Sequence, residues 1–128
     1  MVEALRRVLE SDERVTYALL FGSARDGAIR PGGDVDVAVA LNEPASAAFL
    51  GELTARLEAA AGHPVDLVVV AEAPPAIAFR IFRDGVVLLC RDRAAFADRQ
   101  ARAVMEYLDF RPAEETLTRG ALAAARGR

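Results

Sequence analysis

Gly22-Ser23, ten intervening residues and then Asp34-Val35-Asp36 are the residues of this chain best suited to chemistry. Asp34 and Asp36 stand two apart at the start of an apolar run that ends at Leu41. Residues two apart on an extended strand point to the same face, which sets the two carboxylates roughly 6 to 7 Å apart along it. Like charges that close repel unless solvent screens them or a cation lies between. A hard divalent ion with oxygen ligands, magnesium above all, suits the pair. Gly22-Ser23 follows a second apolar run, Tyr17-Ala18-Leu19-Leu20-Phe21. Its backbone N–H groups and hydroxyl suit an anion, and glycine lets that anion come close. A cation site on one strand and an anion cradle at the end of its neighbour describe a site for a metal-bound phosphate.

The elements that must hold these residues alternate between helix and strand. Val2, Leu5, Val8 and Leu9 share one face of a helix predicted over 2–11. Strands are predicted over 15–21, 34–41, 65–71 and 86–90. Between the first two, Gly27, Pro31, Gly32 and Gly33 read as a turn, with a short helix at most after Ser23. Pro44 opens a helix over 45–61 with Phe49, Leu53 and Leu57 stacked, and Gly62 stops it. Pro74-Pro75 precede a short helix that ends at Gly85, with Ile77, Ala78, Ile81 and Phe82 on one face and Arg80 and Arg83 opposite. The last long helix is predicted over 92–108, with Ala97, Ala101, Val104 and Leu108 on its buried side. A short further helix is expected after Pro112. This alternation points to an α/β (α+β) sheet with helices packed on it and leaves the strand order open.

Composition narrows the functional classes. At 128 residues and 53% hydrophobic content the chain has the size and core of one ordinary domain. A formal charge of −3 argues against a general nucleic-acid binder, so no direct nucleic-acid binding is expected. Cys90 is the one cysteine, which rules out an internal disulfide and fits a reducing cytoplasm. No apolar run is long enough for a transmembrane helix, and the first residues lack the apolar centre of a signal peptide. His63 reads as a loop residue, and Cys90, Phe79 and Phe82 as core. Arg91, Arg93, Arg99 and Arg102 interleave with Asp92, Asp98 and Glu106, which favours a solvated helix surface over a basic face.

The segment LFGSARDGAIRPGGDVDVAV resembles the signature of the polymerase-beta-type nucleotidyltransferases, and within them the minimal, stand-alone MNT class. The resemblance runs from about Thr16 to Phe110. It implies a short mixed sheet with helices mainly on one side. It also implies a third carboxylate on a following strand, and Asp66 falls at that position. Asp34, Asp36 and Asp66 would then be catalytic and hold two magnesium ions, one of them on the triphosphate of ATP, with Asp66 as a candidate general base. Gly22 and Ser23 would bind phosphate. Arg25 and Arg30 are each either a triphosphate contact or a solvated side chain. The chain departs from the usual pattern at Asp26, where arginine is common, and at Gly33, where serine usually precedes the first aspartate.

A chain this short has little left with which to build a pocket for a complex small-molecule acceptor. The resemblance implies that the acceptor is a protein: stand-alone MNT chains pair as antitoxins with HEPN-domain ribonuclease toxins and transfer AMP from ATP to a toxin tyrosine. Residues 1–110 are then the nucleotidyltransferase domain, and residues 111–128 a helical tail available to the partner. Tyr107, Leu108 and Phe110 either face that partner or pack on the core. Two other readings stay open: an antitoxin that neutralises by complex formation alone, and a small-molecule nucleotidyltransferase completed by a dimer.

Overall fold

The computed structural model describes residues 1–22 and 33–125, with side chains as far as Asp109. Its elements are α1 (Val2–Glu10), β1 (Val15–Phe21), β2 (Val35–Leu41), α2 (Ala47–Ala61), β3 (Val65–Val69), a 3-10 turn (Val70–Glu72), α3 (Pro75–Asp84), β4 (Val86–Cys90) and α4 (Arg93–Ala125). The strands form one mixed sheet in the order β3-β2-β1-β4. β1 is antiparallel to both β2 and β4, and β2 is parallel to β3.

β1 is apolar along its length because both of its faces are covered. Val15, Ala18 and Leu20 join a core with Leu5 and Leu9 of α1 and Phe49, Leu53 and Leu57 of α2. Tyr17, Leu19 and Phe21 join a second core with Ala78, Ile81 and Phe82 of α3 and Ala103 of α4. The described helices are thus shared between the two faces, a more even division than the resemblance implies. Local signals set the helix ends. The Ser46 hydroxyl accepts a hydrogen bond from the Phe49 N–H at 3.1 Å, and Gly62 closes α2 in the left-handed conformation, φ 72°.

α4 differs from expectation in length and in orientation. It runs through Pro112 to Ala125 as one helix rather than ending at 108, so the boundary expected at 110 falls inside it. Ala97, Ala101, Val104 and Leu108, expected on its buried side, are exposed, while Arg99 and Ala103 are buried. The reason is aromatic. Phe96 packs edge-on against Tyr17 at 5.1 Å and Phe82 at 5.3 Å between ring centres, and Tyr107 stacks on Phe79 at 4.1 Å. These rings bury far more apolar area than a row of alanines, and they set the roll of the helix. Arg99 is carried inward with them, which corrects its expected place on a solvated surface.

Arg91 also has work inside the fold. It donates to the carbonyl oxygens of Asp12 (2.9 Å), Val15 (2.8 Å) and Glu10 (2.6 Å), pinning the α1–β1 turn to the end of β4. Among the described residues no helix is long and apolar enough to cross a membrane.

Candidate active site

Strand pairing assembles the site from three separate segments. Phe21 at the end of β1 pairs with Asp36 on β2, and Asp36 pairs in register with Asp66 on β3. Neighbouring strands lie about 4.8 Å apart, so the two carboxylates are neighbours across the sheet. They share the face of Ala38 and Val68, the face covered by α3 and α4. Asp34 is exposed and stands one residue ahead of β2, two residues before Asp36.

Gly22 continues β1 directly beside Asp36. Its φ is +73°, and a Cβ placed on it would collide with Asp36 Oδ2. The left-handed backbone favours glycine here, and any side chain would also have to displace the Asp36 carboxylate. This close approach fixes where the end of β1 stands relative to the Asp36 carboxylate.

A cavity of about 540 Å³ opens in front of this row, with Asp36, Asp66, Glu72, Ile77 and Arg80 among its lining. Partial burial raises the pKa of Asp36, and the charges of Asp66 and Asp34 raise it further, while Arg80 opposes them. The repulsion expected of close carboxylates is therefore present, and a cation would relieve it. Hard oxygen donors in this state fit a divalent ion such as magnesium. Among the described residues no three acidic, histidine or cysteine side chains are gathered closely enough to hold a metal on their own. A bound nucleotide's phosphate oxygens would supply the remaining ligands, as is usual for magnesium.

Of the residues singled out from the sequence, Gly22, Asp36 and Asp66 come together, with Asp34 at the margin. Ser23, Arg25 and Arg30, expected to touch phosphate, lie outside the described residues, as does Asp26. Arg80 and Glu72 line the cavity and are not among the sequence candidates for the site. The sequence expects Arg80 with Arg83 on the outer side of α3. Arg83 pairs with Asp84 at 2.9 Å. Arg80 has no hydrogen bond or ion pair with the described residues and instead lines the cavity. The available signal was its spacing: Arg80 follows Ile77 by three, one helical turn, and both face the carboxylates.

Residues 3–94 match the family model for the polymerase beta nucleotidyltransferase domain. The chain belongs to the polymerase beta nucleotidyltransferase family. No curated protein is significantly similar in sequence to this nucleotidyltransferase. Among solved structures, it resembles a chain of a toxin–antitoxin complex with AMP-PNP, with a TM-score of 0.81 at 18% identity over 94% of this chain and 98% of that one. It also resembles a chain from the complex of tri-AMPylated Shewanella oneidensis HEPN toxin with MNT antitoxin, with a TM-score of 0.76 at 17% identity over 95% and 99%. A third match, described as a minimal nucleotidyltransferase, has a TM-score of 0.54 at 27% identity over 66% and 89%. The first two establish a common fold across nearly the whole chain, α4 included.

Proposed function

We propose that this chain is an antitoxin nucleotidyltransferase that moves AMP from ATP to a hydroxyl, a tyrosine by the resemblance, of a cognate HEPN-type toxin. One observation carries the reading: Asp36 and Asp66 stand in register on adjacent strands, with the main chain of Gly22 against Asp36. The similar structures support it, one holding an ATP analogue and another an AMPylated toxin.

In this reading Gly22 and Ser23 receive the triphosphate through backbone N–H groups and a hydroxyl, and Arg25 or Arg30 adds a guanidinium. Arg80 faces the same charge from the other wall of the cavity. Asp34, Asp36 and Asp66 would hold magnesium, two ions by the resemblance, which when bound neutralises phosphate charge and lowers the pKa of the acceptor hydroxyl. Asp66, exposed at the outer strand, takes the acceptor's proton as its oxygen attacks the α-phosphorus. The bond from that phosphorus to the bridging oxygen breaks, pyrophosphate leaves and AMP remains on the acceptor. Alignment and charge neutralisation carry most of the rate.

The toxin would dock on α4, through the exposed line of Ala97, Ala101, Val104 and Leu108 and the tail from 111 onward. The pair would work in the cytoplasm, where Cys90 stays reduced.

The departures at Asp26 and Gly33 leave room for a second reading, neutralisation by complex formation alone. One experiment separates the two. The purified toxin partner is incubated with this chain, ATP and magnesium, and its mass is measured. Transfer adds whole AMP groups, and both Asp36→Asn and Asp66→Asn reduce the rate at least a hundredfold while the complex still forms. An unmodified toxin held in a stable complex would establish the second reading.

A further inference from the structure

At the opposite end of the same sheet face lies a second cavity of about 440 Å³, between the start of β1, the 3-10 turn and α4. The size is ample for a small molecule. Two of its lining residues are polar and largely buried: Tyr17, 3% exposed, and Arg99, whose side chain is 11% exposed. Neither is fully used by the protein. The Tyr17 ring is held between Phe82 and Phe96, but its hydroxyl makes no hydrogen bond among the described residues. Arg99 donates once, from Nη1 to Glu106 Oε1 at 3.3 Å, and a guanidinium has five N–H groups to give.

No sealed side-chain polar atom among the described residues lacks a partner. The unused donors of Tyr17 and Arg99 therefore face open space, and the cavity they both line is that space. Burial raises the Tyr17 pKa, with Arg99 and Arg102 pulling it back, so the phenol keeps its proton at neutral pH and acts as a donor. Both groups thus offer N–H or O–H and ask for an acceptor.

We propose that this cavity is a second ligand site that takes a carboxylate carried on a small apolar body. The planar fork of Arg99 matches a carboxylate edge, and the Tyr17 hydroxyl adds a third donor. Ala40, Val70, Ala73 and Pro75 supply an apolar wall for the rest of the molecule. Arg102, Asp98 and Glu106 also line the cavity, so its two acids offset its two arginines, and this balance suits a singly charged acid better than a phosphate dianion. The carboxylate has two possible sources, a free organic acid or the C-terminus of a polypeptide ending in an apolar residue. The site shares no acidic residue with the catalytic row, so its fate is independent of the proposed transfer.

The test is calorimetric titration of the full chain at constant ionic strength. The probes are sodium benzoate, a short peptide ending in phenylalanine, that peptide's C-terminal amide, and inorganic phosphate. Benzoate is expected to bind saturably and the amide not at all; tighter binding of the peptide acid than of benzoate names a polypeptide as the source, and the reverse names a free acid. Tyr17→Phe keeps the ring contacts and removes no protein hydrogen bond, so its melting temperature stays at the wild-type value. Its affinity for the acid falls about tenfold or more, the loss of a hydrogen bond to a charged group. Arg99→Met abolishes binding. Failure of both acids to bind, equal binding by Tyr17→Phe, or tighter binding of phosphate would overturn the proposal.

Discussion

Asp36 holds its proton more tightly than a free aspartate, through partial burial and the charges of Asp66 and Asp34. The folded chain therefore binds that proton better than the unfolded one. The stability this lends is complete below the unfolded pKa, near 3.8, and is lost as pH rises through the raised folded value. At neutral pH the ionised group works against the fold. Asp36→Asn should raise the melting temperature at pH 7 without divalent ions by about 1–3 °C, a figure kept low by solvent screening. The gain should vanish at pH 3, and magnesium with ATP should stabilise only the wild type; a loss of stability at pH 7 would contradict the assignment. The local part of this site was legible in the sequence. Strand alternation alone puts Asp34 and Asp36 on one side, and the Cβ clash at Gly22 gives the physical reason for a glycine there. Asp66 needed the family resemblance, because its register against Asp36 is a long-range pairing that no local pattern encodes. Helical spacing gives Arg80 a face, and only the seating of α3 on the sheet turns a flank of that face toward the carboxylates.

At the scale of elements, Arg91 is the tie between three of them. Arg91→Ala would leave the carbonyls of Glu10, Asp12 and Val15 without this donor and should destabilise the fold by about 1–3 kcal/mol. Urea unfolding would register the change as a lower midpoint with an unchanged slope, and a midpoint equal to wild type would refute it. The boundaries of α1, β1, α2 and β4 were readable within two residues, because capping residues and apolar periods agree there. The orientation of α4 departs from the expected one for a definable reason. Its sequence is rich in alanine and arginine, so the weak apolar line 97-101-104-108 looked like a core face, while two rings, Phe96 and Tyr107, on another side had the larger area to bury. Pro112 does not end the helix: a proline removes one backbone hydrogen bond, and here the helix continues through it.

The whole molecule presents this side of α4, with the neighbouring Met105, to solvent: Val104 is 39%, Met105 64% and Leu108 51% exposed. An exposed apolar ridge on a helix is a candidate contact surface. If the proposed toxin seats there, Leu108→Asp should weaken the complex at least tenfold in a titration, without lowering the melting temperature of the free chain. Unchanged affinity would move the interface elsewhere. The order β3-β2-β1-β4 could not be taken from apolar pattern, since every strand reads as apolar and only the assembled registers distinguish edge from centre. The ridge has a practical corollary for anyone making this protein. Produced without company, the chain offers bacterial lysate a greasy handle, and clumping on storage should follow from α4 and not from a badly formed interior. Co-expression, or a single charged replacement on that helix, would be the remedy to try before altering the buffer.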